Sequence, residues 1–198
     1  MKYLLILFSF ALIFTSCEKN DDKIEIYLLK NRIRSSEGIP IIEYDSFIKT
    51  PKSLKQCKFV NYDTISGDWI FGGKFEVSKH DLDKTPLIID NEILSVNLDN
   101  SELFLTESGK EKIQRIKPNM KYGVQFAICV NQEPQLVGYF RSNISSFVYN
   151  WNYIGYDYYK HNIKINKEKG FIIYKNEGYE KWKPYKSNLL EYPKLIMH

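Results

Sequence analysis

The stretch Tyr122-Gly123-Val124-Gln125-Phe126-Ala127-Ile128-Cys129-Val130 alternates with period two. Val124, Phe126, Ile128 and Val130 fall on one side and Gln125, Ala127 and Cys129 on the other, as a strand requires when successive side chains point to opposite faces. Asn131-Gln132-Glu133-Pro134 turns the chain, and Leu136-Val137-Gly138-Tyr139-Phe140 returns it. A hairpin here sets a β-rich fold, into which the neighbouring apolar segments fit.

Upstream, Ile93 to Leu98 alternates up to Asp99-Asn100, and Glu102-Leu103-Phe104-Leu105 follows as another strand. Thr106 is placed to cap a helix, with Glu107 in the first turn where the helix dipole favours an anion. Ser108 with Glu111 offers a competing capping box. Ile113 and Ile116 share one face, and Pro118 stops the helix, so the pattern predicts one short helix over about 107–116. Ile24 to Leu29 reads as the first strand. Ile39-Pro40-Ile41-Ile42 reads as an edge strand or extended segment, because Pro40 cannot donate to a ladder. Trp69-Ile70-Phe71 and Lys74-Phe75-Glu76-Val77 flank Gly72-Gly73, which predicts a hairpin with a primed two-residue turn. Trp69, Phe71, Phe75 and Val77 would then share a core face. Ile163-Lys164-Ile165 and Phe171-Ile172-Ile173-Tyr174 read as late strands. Residues 179–198 carry two prolines and little periodicity, and read as a tail wrapping the domain through Trp182, Tyr185 and Tyr192. The expected fold class is α+β: a mainly antiparallel sheet with one short helix packed on it, β-rich overall, in a single domain over 24–198.

Near the start, Lys2 precedes an apolar run from Leu4 to Phe14, followed by Thr15-Ser16-Cys17. A positive segment before about ten apolar residues suits secretion and is too short to span a membrane. Small residues at Thr15 and Ser16 let the backbone enter a peptidase cleft. The segment, residues 1–16, resembles bacterial lipoprotein signals, with Phe14 where leucine is usual. That resemblance implies lipidation of Cys17 after cleavage and attachment to a membrane through the lipid. Residues 17–23 form an acidic tether, and Glu18-Lys19-Asn20-Asp21-Asp22 resembles the acidic export signal of surface lipoproteins in Bacteroidetes-type bacteria. The expected location is the bacterial envelope, at the outer membrane, with surface exposure open.

Hydrophobic residues at 43% and charged residues at 26% fit a globular chain. The net charge of +4 is spread along the sequence and makes no nucleic-acid footprint. With Cys17 acylated, Cys57 and Cys129 could pair in an oxidising envelope or stay as two buried thiols. No Cys/His cluster suggests a metal, and no cofactor motif occurs. No Gly-x-Ser-x-Gly, His-Glu-x-x-His or phosphate loop occurs either, so no catalytic residue is assigned. His80 beside Asp81 and Asp83 is either a hydrolytic or metal cluster or a solvated loop. Phe147, Tyr149, Trp151 and Tyr153 alternate, with Tyr156 beyond. Tyr149, Trp151, Tyr153 and Tyr156 are the candidate binding residues, since flat rings with polar edges suit sugars or a protein hot spot. The same pattern fits a core strand. Asp63-Thr64-Ile65 resembles the O-glycosylation acceptor of Bacteroidetes-type bacteria, which implies a sugar on Thr64.

The order of elements over 93–146 is strand, Glu102 to Ile113, Gln125 to Asn131, a turn, then Val137 to Phe140 and Asn143-Ile144-Ser145-Ser146. It resembles the head part of the first periplasmic domain of SecD, a subunit of the protein-export machinery. The resemblance covers about a third of the chain, brings no catalytic residues, and implies an α+β head that engages an envelope protein. The chain lacks the membrane helices through which SecD couples proton flow to export. Three readings follow: a non-catalytic binding or accessory lipoprotein, a surface glycan binder using residues 147–159, and a hydrolase.

Overall fold

The computed structural model describes residues 22–44, 50–55, 57–147, 149–156, 170–176 and 185–195. The expectations for Cys17, Ile163–Ile165 and Trp182 lie outside them.

The main sheet has eight strands. They are β1 (Ile24–Leu28), β5 (Ile93–Asn97), β6 (Glu102–Leu105), β7 (Val124–Val130), β8 (Glu133–Arg141), β9 (Asn152–Gly155), β10 (Phe171–Lys175) and β11 (Tyr185–Lys186). Their order is β1-β7-β8-β9-β10-β6-β5, with β11 on β10, and the sheet nearly closes into a barrel. All pairings are antiparallel except β8 with β9. A smaller antiparallel sheet is built from β2 (Ile39–Pro40), β3 (Asn61–Tyr62) and β4 (Trp69–Ile70). The fold is broadly α+β and β-dominated.

The hairpin at Asn131 forms with a tighter turn than its sequence suggested. Asn131 and Gln132 both take positive φ (51° and 65°), and Val130 pairs directly with Glu133. Two successive left-handed residues give the primed twist that suits right-twisted strands. The side chain of Asn131 accepts a hydrogen bond from Lys23 N (2.9 Å), which fixes the entry of β1 beside β7.

The helix α3 (Glu107–Arg115) lies where it was expected. Thr106 Oγ1 accepts from Gly109 N (3.2 Å). The alternative box does not form, because Ser108 Oγ donates instead to Glu92 Oε1 (2.8 Å). Two single helical turns, α1 (Ile41–Tyr44) and α2 (Lys52–Lys55), precede α3, the second where Thr50 to Leu54 reads as a turn or short helix start. Ile41 and Ile42 thus coil rather than extend, and only Ile39-Pro40 stays in a strand.

The hairpin predicted across Gly72-Gly73 is absent. Trp69–Ile70 pairs with β3, residues 71–77 form no strand, and neither glycine takes positive φ. These glycines answer to close approach rather than to a turn. A Cβ on Gly72 would lie 2.2 Å from the Tyr149 ring. The expected common face also divides: Trp69 and Phe71 pack with Ile41, Cys57 and Val60, whereas Phe75 and Val77 pack with Tyr139, Tyr149 and Tyr153.

The two sides of the sheet are packed by different chemistry. Inside the curve, Ile26, Phe126, Ile128, Leu136, Phe140, Ile154, Ile173 and Leu103 meet Ile113 of α3 and Leu189 and Leu195 near the C-terminus. Outside it, Tyr27, Ala127 and Cys129 meet Leu82, and Tyr139, Tyr149 and Tyr153 meet Phe75. The segment 29–82, including the small sheet, contributes most of this outer cover. Cys57 and Cys129 are free, each buried in a different cluster, so the disulfide considered for them is not made.

Candidate functional site: a cleft around Arg32

The chain leaves β1 through Leu29 and passes Asn31 and Arg32 on the outer side of the sheet. Gln125 holds this passage: its Oε1 accepts from Ile33 N (2.7 Å) and its Nε2 donates to Ile33 O (2.8 Å). The facing wall is residues 119–125. Gly123 takes φ +60°, and a Cβ there would lie 2.5 Å from Phe140 O, so only glycine allows this turn. Between the two walls is a solvent-open cleft of about 270 Å³, lined by Leu29, Asn31, Arg32, Asn119, Tyr122 and Gln125 among others.

Arg32 dominates the cleft electrostatically. Its Nη1 donates to Gly123 O (3.2 Å) and its Nη2 to Phe71 O (3.5 Å). Its buried Nε–H has no hydrogen-bond partner among the described residues. The guanidinium carbon lies 5.2 Å from the Phe59 ring centre, 5.1 Å from Tyr122 and 5.5 Å from Tyr139. Aromatic faces attract a cation, but they carry no counter-charge. Among the described residues no carboxylate forms an ion pair with Arg32 and none lines the cleft. Burial accordingly pulls the guanidinium pKa below its ordinary value. Burial also raises the Tyr122 phenol, and lifts Tyr139 to about 12, so both rings are neutral walls near pH 7.

The aromatic run chosen from the sequence does not form an open platform. Tyr149 and Tyr153 are buried at 0% and 7% exposure. Tyr153 lies on β9, a central strand, and Tyr149 precedes it; both rings pack into the cluster with Phe75 and Tyr139. Arg141 lies over both rings, 5.4 Å and 4.7 Å from their centres. Trp151 is half-buried, its indole N–H has no partner in the protein, and Lys74 Nζ and Lys175 Nζ each lie 5.5 Å from its ring centre. Tyr156 is half-buried against the inner core. The four candidates therefore do not share one exposed face.

The remaining candidates resolve into local structure. His80 sits in a 3₁₀ turn, Lys79–Asp81, that Asp81 closes by accepting from Ser78 N and Ser78 Oγ (2.8 and 2.6 Å). These bonds lower the Asp81 pKa. Asp83 Oδ1 accepts from Lys84 N (2.8 Å). Among the described residues no group of three His, Cys, Asp or Glu could hold a metal ion. Thr64 is exposed in the turn between β3 and β4, where Asp63 accepts from Ile65 N and Ser66 Oγ.

Sequence reasoning missed Arg32 and Gly123. Arg32 lies in a polar stretch with no periodicity, and its contacts come from a segment 91 residues away. The one available signal is the glycine set immediately before the strongest strand. No protein-family model, curated protein or solved structure matches this chain.

Proposed function

We propose that this chain is a non-catalytic binding or accessory lipoprotein of the bacterial envelope, anchored by lipid on Cys17, and that it engages its partner at the Arg32 cleft. The cleft carries the reading: a half-buried cation with no carboxylate partner among the described residues, set among aromatic walls and open to solvent. A charge held partly out of water without a counter-charge is destabilising, and an anionic partner would offset that. The order β5-β6-α3-β7-β8 over 93–146 is compatible with the SecD-like reading of that region. No helix of the described residues is long and apolar enough to cross a membrane, and the acyl group on Cys17 would supply the attachment.

A glycan-binding reading stands second and rests on the half-buried ring of Trp151, whose face could stack on a sugar. A stacked sugar would have to displace Lys74 or Lys175 from the ring.

A photo-crosslinking amino acid placed at Asn31 or Asn119 in the full chain tests the first reading in cells. Both residues line the cleft and are exposed. Discrete adducts from these positions, absent from Glu111 on the exposed side of α3, are expected. Adducts from Glu111 equal to those from the cleft, or none from the cleft, would overturn it.

A further inference from the structure

We propose that the group seated in the cleft is an oxyanion on a mainly apolar body, held by the unused N–H donors of Arg32. The inference rests on the cleft being the binding surface, and it names what the cleft selects.

The donor inventory points to an anion. A guanidinium offers only donors, arranged in a planar fork that matches the paired oxygens of a carboxylate or a phosphate ester. Of the five N–H groups of Arg32 two reach protein acceptors, the carbonyls of Gly123 and Phe71; the Nε–H is buried, and one N–H on each terminal nitrogen is left over for the cleft. Two polar neighbours are already engaged. Gln125 is committed at both ends to Ile33, and Asn119 Oδ1 accepts from Lys121 N (2.8 Å). No carboxylate stands among the described lining residues to repel an incoming anion. The apolar body follows from the walls: Leu29, Val124 and the Tyr122 ring leave a space of about 270 Å³, larger than a bare anion fills. The site is also preorganised. Gln125 fixes the segment that carries Arg32, and the rings of Phe59 and Tyr122, edge to face at 5.7 Å, flank the cation. Little ordering is left for a ligand to impose.

Amide chemical-shift titration of the acylation-free chain tests this with three probes: phenylacetate, phenyl phosphate and the neutral phenylacetamide. Saturable shifts at Asn31, Arg32, Gly123 and Val124 are expected with at least one anion, at least tenfold tighter than with phenylacetamide. The better anion distinguishes a carboxylate source from a phosphate source. Arg32→Lys keeps the charge but loses the fork, and should weaken the preferred anion about tenfold. Asn119→Asp retains the acceptor for Lys121 N while placing a negative charge on the rim. It should weaken the anions severalfold and leave phenylacetamide unchanged, and it guards against an Arg32 variant that misfolds. Equal binding of all three probes would overturn the oxyanion inference while leaving the cleft a binding surface. So would probe-silent amides in a chain that still crosslinks from Asn31 and Asn119. Loss of those crosslinks would sink the binding reading itself.

Discussion

The two faces of β7 carry different tasks. Phe126, Ile128 and Val130 face an apolar interior of mostly aliphatic side chains, which Ile113 of the capped helix joins. Gln125, Ala127 and Cys129 face a cover of irregular chain, where a glutamine bonds backbone, tyrosines pack among charged groups and Arg32 lies between rings. The inner face is satisfied by the chain alone. The outer face near Arg32 is not, because a donor remains unmet there. On the proposed reading, the contrast separates residues that hold the fold from residues that the fold holds out for a ligand.

The inner face should break most severely. Phe126 is fully buried and packs on Phe140 with ring centres 4.5 Å apart. Phe126→Ala should cost about 3–5 kcal/mol in denaturant unfolding. A loss below about 1 kcal/mol would mean that the inner cluster is not the core. On the outer face, Gly72→Ala drives a methyl into the Tyr149 ring and should cost about 1–3 kcal/mol. Combined with Tyr149→Ala, the loss should fall short of the sum of the single losses, and strict additivity would contradict the contact.

A buried carboxylate sharpens the comparison, because it is a charge that the fold does satisfy. Glu92 accepts from Lys112 Nζ (2.6 Å), Ser108 Oγ (2.8 Å) and Ile89 N (3.2 Å). Burial raises its pKa, but these partners outweigh burial and hold it below the ordinary 4.5. A depressed folded-state pKa contributes stability above about pH 4.5, which is lost as pH falls through the folded value. Glu92→Gln should cost about 1–2 kcal/mol at pH 7 and flatten the decline of stability below pH 4.5. An unchanged acid limb would remove Glu92 from the account. The smallest effect concerns the thiols. Since Cys57 and Cys129 are unbonded, reductant should leave the unfolding midpoint in place, whereas a disulfide would contribute about 2–4 kcal/mol.

The parity of β7 was legible because seven residues repeat one pattern between turn signals, and both faces were assigned as the structure has them. Helix α3 was legible because Thr106 and Pro118 bracket it with local chemistry. Gly72-Gly73 misled, since a glycine pair reads the same whether it supplies positive φ or makes room for a ring from 77 residues on. The aromatic run misled for a related reason. Period two shows that side chains alternate, not which face is covered, and the cover of Tyr149 and Tyr153 comes from Phe75 and Tyr139. Arg32 was invisible because a lone arginine in a polar stretch becomes special only when distant rings and carbonyls converge on it.

The most direct test replaces Arg32 with methionine and measures stability and probe affinity on the same protein. A half-buried charge without a carboxylate partner, exchanged for an apolar chain of similar length, should leave unfolding free energy within about 1 kcal/mol, the two long carbonyl hydrogen bonds lost being offset by the relieved desolvation. Affinity for the anionic probe should fall at least tenfold. That split would mark Arg32 as held for a ligand. A loss of more than about 2 kcal/mol in stability, with probe affinity unchanged, would show that the guanidinium is a structural strut and that the cleft is not its purpose.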